Sequence, residues 1–286
     1  MKRLIGWVLS GIIVVLGIAE IGVRTAGFVD FPLYLADSRI GYIPIPNQSG
    51  SFMNSNDWAF NELSMGTPEP FNPSPIETDI LLIGDSVVFG GNPYKQGDRL
   101  GPQLARATGD AVWPISAGSW ALQNQLNYLA DHPEVVQAVD QIVFLLNGGD
   151  FGEPTSWRTD LTHPRSQPLS AVAYLATKYI LKPTAQPTPA EMIVPTRDWR
   201  GDLVSFAATT TVPITVVIYP DRDGLDDLSA AAELPDLGVD RIISIGDDSR
   251  WSKSLYRDAI HPTPEGTGVL ATIIAEHLNA PIRPLP

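Results

Sequence analysis

The tripeptide Gly84-Asp85-Ser86 closes a short apolar run, Ile80 to Ile83, and leaves one hydroxyl at its end. A run apolar on both faces is a buried strand, so Ser86 is predicted at the carboxyl edge of a sheet with a helix starting beside it. A hydroxyl there meets a ligand, and the backbone N–H groups of the turn face any negative charge that develops on it. Gly84 permits close backbone approach, and Asp85 can cap the turn. Taken alone, the triplet also suits a serine that merely caps a helix. An alcohol becomes a useful nucleophile only when a base takes its proton.

Four histidines could be that base: His132, His163, His261 and His277. His277 falls late in a C-terminal helical segment, and His132 and His163 each precede a proline in a polar loop. His261 stands in Asp258-Ala-Ile-His261-Pro-Thr-Pro. A carboxylate three residues earlier can reach Nδ1 and hold Nε2 towards an incoming hydroxyl. Ser86, His261 and Asp258 are therefore the predicted nucleophile, general base and orienting carboxylate; the competing reading of the last two is a structural loop clasp. Thr263 can cap a helix that begins at Pro264 and runs towards Leu278. There is no cysteine and no His-Glu-x-x-His pattern, so neither a thiol nucleophile nor a metal or other cofactor is expected.

The elements that must position these groups follow a rhythm. Apolar runs at Ile80–Ile83, Ala111–Ile115, Gln141–Leu146, Ile214–Tyr219 and Arg241–Ile245 alternate with segments long enough for crossover helices. This predicts an α/β three-layer sandwich with about five parallel strands over residues 79–286. A Pro-rich insertion at 151–196 surrounds a helical stretch, Leu169 to Leu181, at the strand ends where such sheets bind ligands. It reads either as a lid or substrate-recognition element or as a structural excursion. Residues 28–78 combine Pro, Asn, Ser and Gly with scattered aromatics, which predicts an extended arm packed on the domain. Trp120 and Trp157, after the second and third strands, read first as core or lid packing and second as platforms for a sugar. Gly90-Gly91 reads as close packing of a helix on the sheet, since no Gly-Lys-Ser/Thr follows to cradle a phosphate.

Residues 1–27 hold an apolar stretch from Leu4 to Val23, broken by Ser10 and Glu20, after Lys2 and Arg3. About 20 residues just cross a hydrocarbon core of about 30 Å, and the basic flank places the rest of the chain outside the cytoplasm. A retained anchor is preferred to a signal peptide cut after Gly17-Ile-Ala19. Glu20 and Arg24 read as an interfacial pair on one helix face, ahead of a site for a membrane protein partner. With 32 acidic and 19 basic side chains the net charge is -13, which excludes nucleic acid as a natural partner.

Together, Gly84-Asp85-Ser86, Ser116-Ala-Gly118 and Asp258-Ala-Ile-His261-Pro resemble, in order and position, the blocks of the SGNH hydrolase superfamily, the GDSL esterases and lipases. The likeness covers roughly residues 79–278. It implies a flavodoxin-like sandwich with strand order 2-1-3-4-5 and a Ser-His-Asp triad. It also implies an oxyanion hole made by the Ser86 N–H, the Gly118 N–H and an asparagine amide. The third block departs from the family's Gly-x-Asn-Asp, for this chain has Asn147-Gly148-Gly149-Asp150. Aligned on the aspartate, the expected asparagine is Gly149. Asn147, two residues earlier on the same strand face, is the expected substitute. The resulting expectation is an extracytoplasmic, membrane-anchored serine ester hydrolase or O-acyl (acetyl) transferase. Its substrate would be an acylated carbohydrate of the cell envelope or an exported one, or a small ester. A catalytically silent SGNH-like scaffold subunit of a membrane assembly is the alternative, and a carbohydrate-binding module the third option.

Overall fold

The computed structural model describes residues 2–184 and 186–280. Helix α1 (Lys2–Thr25) leads into two antiparallel hairpins, β1–β2 (Tyr34–Asp37, Gly41–Pro44) and β3–β4 (Gln48–Phe52, Asn56–Phe60). Next come β5 (Asp79–Gly84), α2 (Ser86–Phe89), α3 (Leu100–Thr108), β6 (Ala111–Ser116), α4 (Leu122–Asp131) and α5 (Pro133–Ala138). The chain continues through β7 (Gln141–Leu146), α6 (Ala171–Leu175), α7 (Trp199–Ala207), β8 (Ile214–Ile218), β9 (Arg241–Ser244) and α8 (Pro264–Leu278).

The apolar runs pair as one parallel sheet in the order β6-β5-β7-β8-β9, with Leu81 opposite Trp113 on one side and Ile142 on the other. Counted within the sheet, that is 2-1-3-4-5. Alternation along the strands sorts their side chains into two cores. Leu81, Ile83, Ile142, Phe144 and Val216 face α4, α5 and α7, whereas Ile80, Leu82, Val143, Leu145 and Val217 face α3 and α8. The middles of the strands are apolar at consecutive positions because both faces are covered. Pro114 is tolerated in β6 because that strand is an edge, where a missing N–H breaks no ladder bond.

Residues 28–78, expected as an extended arm packed on the domain, form the two hairpins and take part in the core. Tyr42, Trp58, Phe60 and Met65 are all buried in the cluster that covers the α4 face of the sheet. The first turn is an Asp loop, in which Asp37 Oδ1 accepts from the N–H groups of Arg39 and Ile40 at 2.6 and 2.7 Å. It closes on Gly41, whose φ of 90° and approach to the Thr155 carbonyl leave no room for a Cβ. Behind Ser86, α2 lasts only four residues. Gly90 and Gly91, at φ 73° and 71°, end it in the left-handed region instead of packing a longer helix on the sheet.

Helix α1 is long and apolar enough to cross a bilayer, and its apolar side chains from Ile5 to Ile21 are exposed. At its far end the Glu20–Arg24 pair forms at 2.7 Å. It also holds the insertion: Glu20 accepts from the N–H groups of Ala171 and Val172, and Arg24 donates to the carbonyls of Pro168 and Leu169. The predicted stretch Leu169–Leu181 starts as helix at Ala171, after a Ser170 cap, and widens into a π-helical turn over Ala176–Leu181.

Candidate active site

Ser86 is the first residue after the Gly84-Asp85 end of β5, the strand on which the chain switches direction between β6 and β7. Open α/β sheets bind ligands at that point. The turn is tight: a Cβ on Gly84 would stand 2.6 Å from Val88 Cγ2. Asp85 caps it, Oδ1 accepting from the Val87 N–H at 2.8 Å. As the opening residue of a helical turn, Ser86 keeps an N–H with no carbonyl four residues back in the helix.

His261 reaches Ser86 from the other end of the chain. Its Nε2 lies 3.0 Å from Ser86 Oγ, and its Nδ1 lies 2.9 and 3.0 Å from the two oxygens of Asp258. A carboxylate facing Nδ1 fixes the proton there, so Nε2 presents a lone pair to the hydroxyl. The other neighbour of the hydroxyl, Asp85 Oδ2, is 3.4 Å away, at the limit of a hydrogen bond. Burial raises the Asp258 carboxyl, but the N–H groups of His261 and Ile260 and then the ring outweigh it and hold it at about 2. It is thus ionised under any ordinary condition. The loop is fastened at both sides: Tyr219 OH donates to the Ile260 carbonyl at 2.8 Å, and Tyr94 OH donates to that of Pro262. Thr263 caps α8 as expected, accepting from the Gly266 N–H at 3.0 Å.

Gly118 lies beside Ser86: a Cβ built on it would be 3.9 Å from Ser86 Cβ. The next residue, Ser119, has φ 63°, a strained left-handed position for a side-chain-bearing residue. That loop is braced from the first hairpin, where Tyr42 OH donates to the Gly118 carbonyl at 2.6 Å and Trp120 Nε1 donates to the Tyr42 carbonyl at 2.8 Å. The sequence reading missed Tyr42 because it lies in the segment taken for an arm.

Asn147 also lies at the site, though the strand-face reason for expecting it there fails. β7 ends at Leu146, and Gly148–Phe151 is a 3-10 turn capped by Asn147, so Gly149 lies on no strand face. The amide points its Nδ2 to Asp85 Oδ2 at 3.1 Å, and its Oδ1 accepts from the Gly149 N–H. One amide hydrogen is thereby engaged; an oxyanion donor would need the other. Behind it, Asp150 Oδ2 accepts from the Asn147 N–H at 2.8 Å and Oδ1 from Gln125 Nε2 at 2.7 Å. Asp85, Asn147, Asp150 and Gln125 thus form a buried polar chain under the nucleophile.

Burial, followed by the Asp85 charge, pushes the Asp150 carboxyl well above its ordinary range. Because the folded state then holds that proton more tightly than the unfolded one, its stabilising contribution is complete below the unfolded value. It is lost as pH rises towards the folded value. Each unit of difference amounts to about 1.4 kcal/mol. Asp150→Asn keeps an acceptor for the Asn147 N–H, and once the Gln125 amide turns over, its NH₂ donates to Gln125 Oε1, which has no protein partner in the wild type. Thermal unfolding of the full chain in detergent should therefore show the variant melting above the wild type at pH 8. The variant should also lose less between pH 5 and pH 8. Equal pH slopes for the two proteins would refute the assignment.

The other candidates lie elsewhere. His132 pairs with Glu134 at 3.0 Å, and His277 Nδ1 meets the Ile273 carbonyl at 2.9 Å. His163 is stacked on Tyr42 at 3.7 Å between ring centroids, and burial lowers its pKa to about 4. Trp120 and Trp157 are buried, the latter with the Arg165 guanidinium 3.9 Å over its ring, so both pack and neither offers a sugar platform. A cleft of about 640 Å³ between α4, α5 and α7 shares no lining residue with the triad geometry. Among the described residues no cluster of His, Cys, Asp and Glu is arranged to hold a metal ion.

No family model and no curated relative matches the sequence. Among solved structures, the chain is similar to a lipolytic protein assigned to the G-D-S-L family from Desulfitobacterium hafniense. Identity is 12%, the match covers 70% of this chain and 98% of that one, and the TM-score is 0.43. It is also similar to a protein described as an SGNH hydrolase from Slackia heliotrinireducens, at 16% identity, 71% and 100% coverage and TM-score 0.40. A third is a family 2 carbohydrate esterase with a carbohydrate-binding domain from Corynascus thermopiles (Myceliophthora fergusii), at 13% identity, 74% and 68% coverage and TM-score 0.44. Likeness of that degree decides nothing about chemistry, which must be argued from the side chains themselves.

Proposed function

We propose that the chain is a membrane-anchored serine ester hydrolase or O-acyltransferase. The observation that carries the reading is the 3.0 Å approach of His261 Nε2 to Ser86 Oγ, with Nδ1 held by Asp258. In this reading Ser86 Oγ attacks an ester carbonyl while Nε2 takes its proton. The tetrahedral oxyanion is met by the Ser86 and Gly118 N–H groups and the free hydrogen of the Asn147 amide. Collapse expels the alcohol, which receives the proton back from Nε2. Water or a sugar hydroxyl then attacks the acyl-enzyme, again losing its proton to His261, and Ser86 is regenerated. The apolar α1 and the basic residues before it support a single-pass anchor with the domain on the extracytoplasmic side. That location favours a small acyl group, such as acetyl, on a carbohydrate of the cell envelope or an exported one.

A fluorophosphonate probe tests the reading on the full chain in detergent. Modification mapped by peptide mass spectrometry to Ser86 supports it. A well-folded protein that never labels, yet purifies with fixed partners, supports the silent scaffold instead. The asparagine has its own measure: losing one oxyanion donor costs about 100- to 1000-fold in kcat. Asn147→Ala should lower turnover of an activated acetyl ester by that factor while probe labelling persists at a slower rate. Unchanged turnover would remove Asn147 from the site.

A further inference from the structure

We propose that the segment Leu169–Leu181 lies in the membrane interface beside α1, a second, non-spanning contact that fixes how the domain sits on the bilayer. This rests on reading α1 as a membrane span.

Ala171–Leu181 is an apolar helical stretch of 11 residues. At about 1.5 Å per residue it is roughly 16 Å long, half of what a hydrocarbon core requires. A helix of that length and composition belongs either in a protein core or in the plane of an interface. The core is excluded by exposure, since Leu169 is 102%, Ile180 77%, Leu181 72% and Tyr179 60% accessible. Tyr179, Ile180 and Leu181 are consecutive, so they form a patch at the carboxyl end of the segment and not a scatter of single apolar residues, with Leu169 exposed at the other end.

The height of the segment is set by its partner. Glu20 holds the N–H groups of Ala171 and Val172 at 2.7 and 3.0 Å and the Ser170 hydroxyl at 3.0 Å, and Arg24 holds the carbonyls of Pro168 and Leu169 at 2.7 and 3.1 Å. Glu20 lies five residues before Thr25, where the apolar span ends, which is about 8 Å along a helix axis. The headgroup layer on each side of a bilayer is of similar depth, about 5–8 Å. The start of α6 is therefore tied within the outer boundary zone. Ala171 packs with Val29 and Phe31, and Val23 of the anchor joins the same cluster, so the tie is apolar as well as polar. Tyr179 suits the boundary as an amphipathic ring, and the exposed Lys182 can extend its ammonium group to anionic headgroups, whereas Lys178 donates to Tyr174 OH at 3.1 Å. The insertion leaves the sheet just after the turn that carries Asn147 and Asp150. A bilayer contact made there constrains the edge that bears Ser86.

The chain has no cysteine, so single cysteines report single positions. Full-length Ile180→Cys, Val14→Cys and Ile76→Cys proteins, each labelled with nitrobenzoxadiazole, are reconstituted in vesicles of three parts phosphatidylcholine to one part phosphatidylglycerol. The lipids carry a nitroxide either near the glycerol end or near the methyl end of the acyl chain. Position 14, mid-anchor, is expected to lose emission mainly to the deep quencher and position 180 mainly to the shallow one. Position 76, exposed beside the amino end of β5, should lose none. If position 180 behaves like position 76 while position 14 is quenched, the proposal is overturned, and a protein partner becomes the cover for this patch. If position 14 is not quenched, the anchor reading fails and takes the proposal with it.

Discussion

Replacing Ser86 by alanine is expected to lower kcat for an activated acetyl ester roughly 10⁴- to 10⁶-fold, His261→Ala to lower it by a similar factor, and the double variant to be no slower than either. The equality follows from how the two side chains act. Without the imidazole, Ser86 Oγ keeps its proton and attacks as a neutral alcohol; without the hydroxyl, the imidazole has nothing to deprotonate and no acyl-enzyme forms. Each single loss therefore removes the whole covalent route, and what remains is the turnover supported by binding and the oxyanion donors. Neither change threatens the fold. Ser86 is half-buried at the sheet edge, and His261 keeps its backbone N–H on Asp258 Oδ1. Melting temperatures within a degree or two of the wild type should accompany the loss. Independent, multiplying effects in the double variant would show that the 3.0 Å contact is not a working pair.

What the sequence disclosed and what it hid divide along sequence separation. The parallel strands were legible because Ile80–Ile83 and Ile142–Leu146 are apolar at every position, the pattern of a strand covered on both faces. His261 and Asp258 were legible as a pair because three residues of loop bring a carboxylate to its ring. The hairpins were not. Met53 and Asn54 turn β3 into β4 at φ 53° each with no glycine between the strands to mark the turn, and the buried faces of those strands are completed by distant side chains. Nor was the polar chain from Asp85 through Asn147 and Asp150 to Gln125, since it joins the ends of β5 and β7 to α4 and only Asn147 and Asp150 are neighbours in sequence. The third block was half legible. Asn147 was expected on a strand face, a geometry that the 3-10 turn at Gly148–Phe151 replaces, and its amide lies on Asp85. The anchor pair shows the same limit: Glu20 and Arg24 are visible as neighbours on a helix, but the hold of Glu20 on Ser170 and Ala171 and of Arg24 on Pro168 and Leu169 crosses about 150 residues of chain and is seen only in the fold.

Asp258→Asn is the sharper test of whether the carboxylate serves chemistry or only the loop. In the wild type, Oδ1 accepts from the N–H groups of Ile260 and His261 at 3.1 and 2.9 Å, and the ring Nδ1 lies 2.9 Å from Oδ1 and 3.0 Å from Oδ2. Asparagine keeps Oδ1, so the loop bonds survive. It places an amide N–H₂ where Oδ2 was, and with Oδ1 already shared by two backbone N–H groups, a donor facing Nδ1 favours the ring proton on Nε2, the nitrogen that must accept from Ser86. The expected result is a fall of about 10⁴-fold in kcat, far out of proportion to the modest drop in melting temperature that loss of the carboxylate charge brings at neutral pH. The wild-type carboxyl, held at about 2, stays charged down to strongly acid pH, so no limb of the wild-type pH–rate profile above pH 4 should come from it. Its depressed value stabilises the fold above the ordinary aspartate range, and that contribution disappears only as pH falls through about 4 to 2. A loop clasp would give the modest drop in melting temperature alone, with kcat per folded molecule preserved. Ester turnover measured beside thermal unfolding on the same Asp258→Asn preparation separates the two, and retention of more than about a tenth of wild-type kcat would assign the carboxylate to the loop alone.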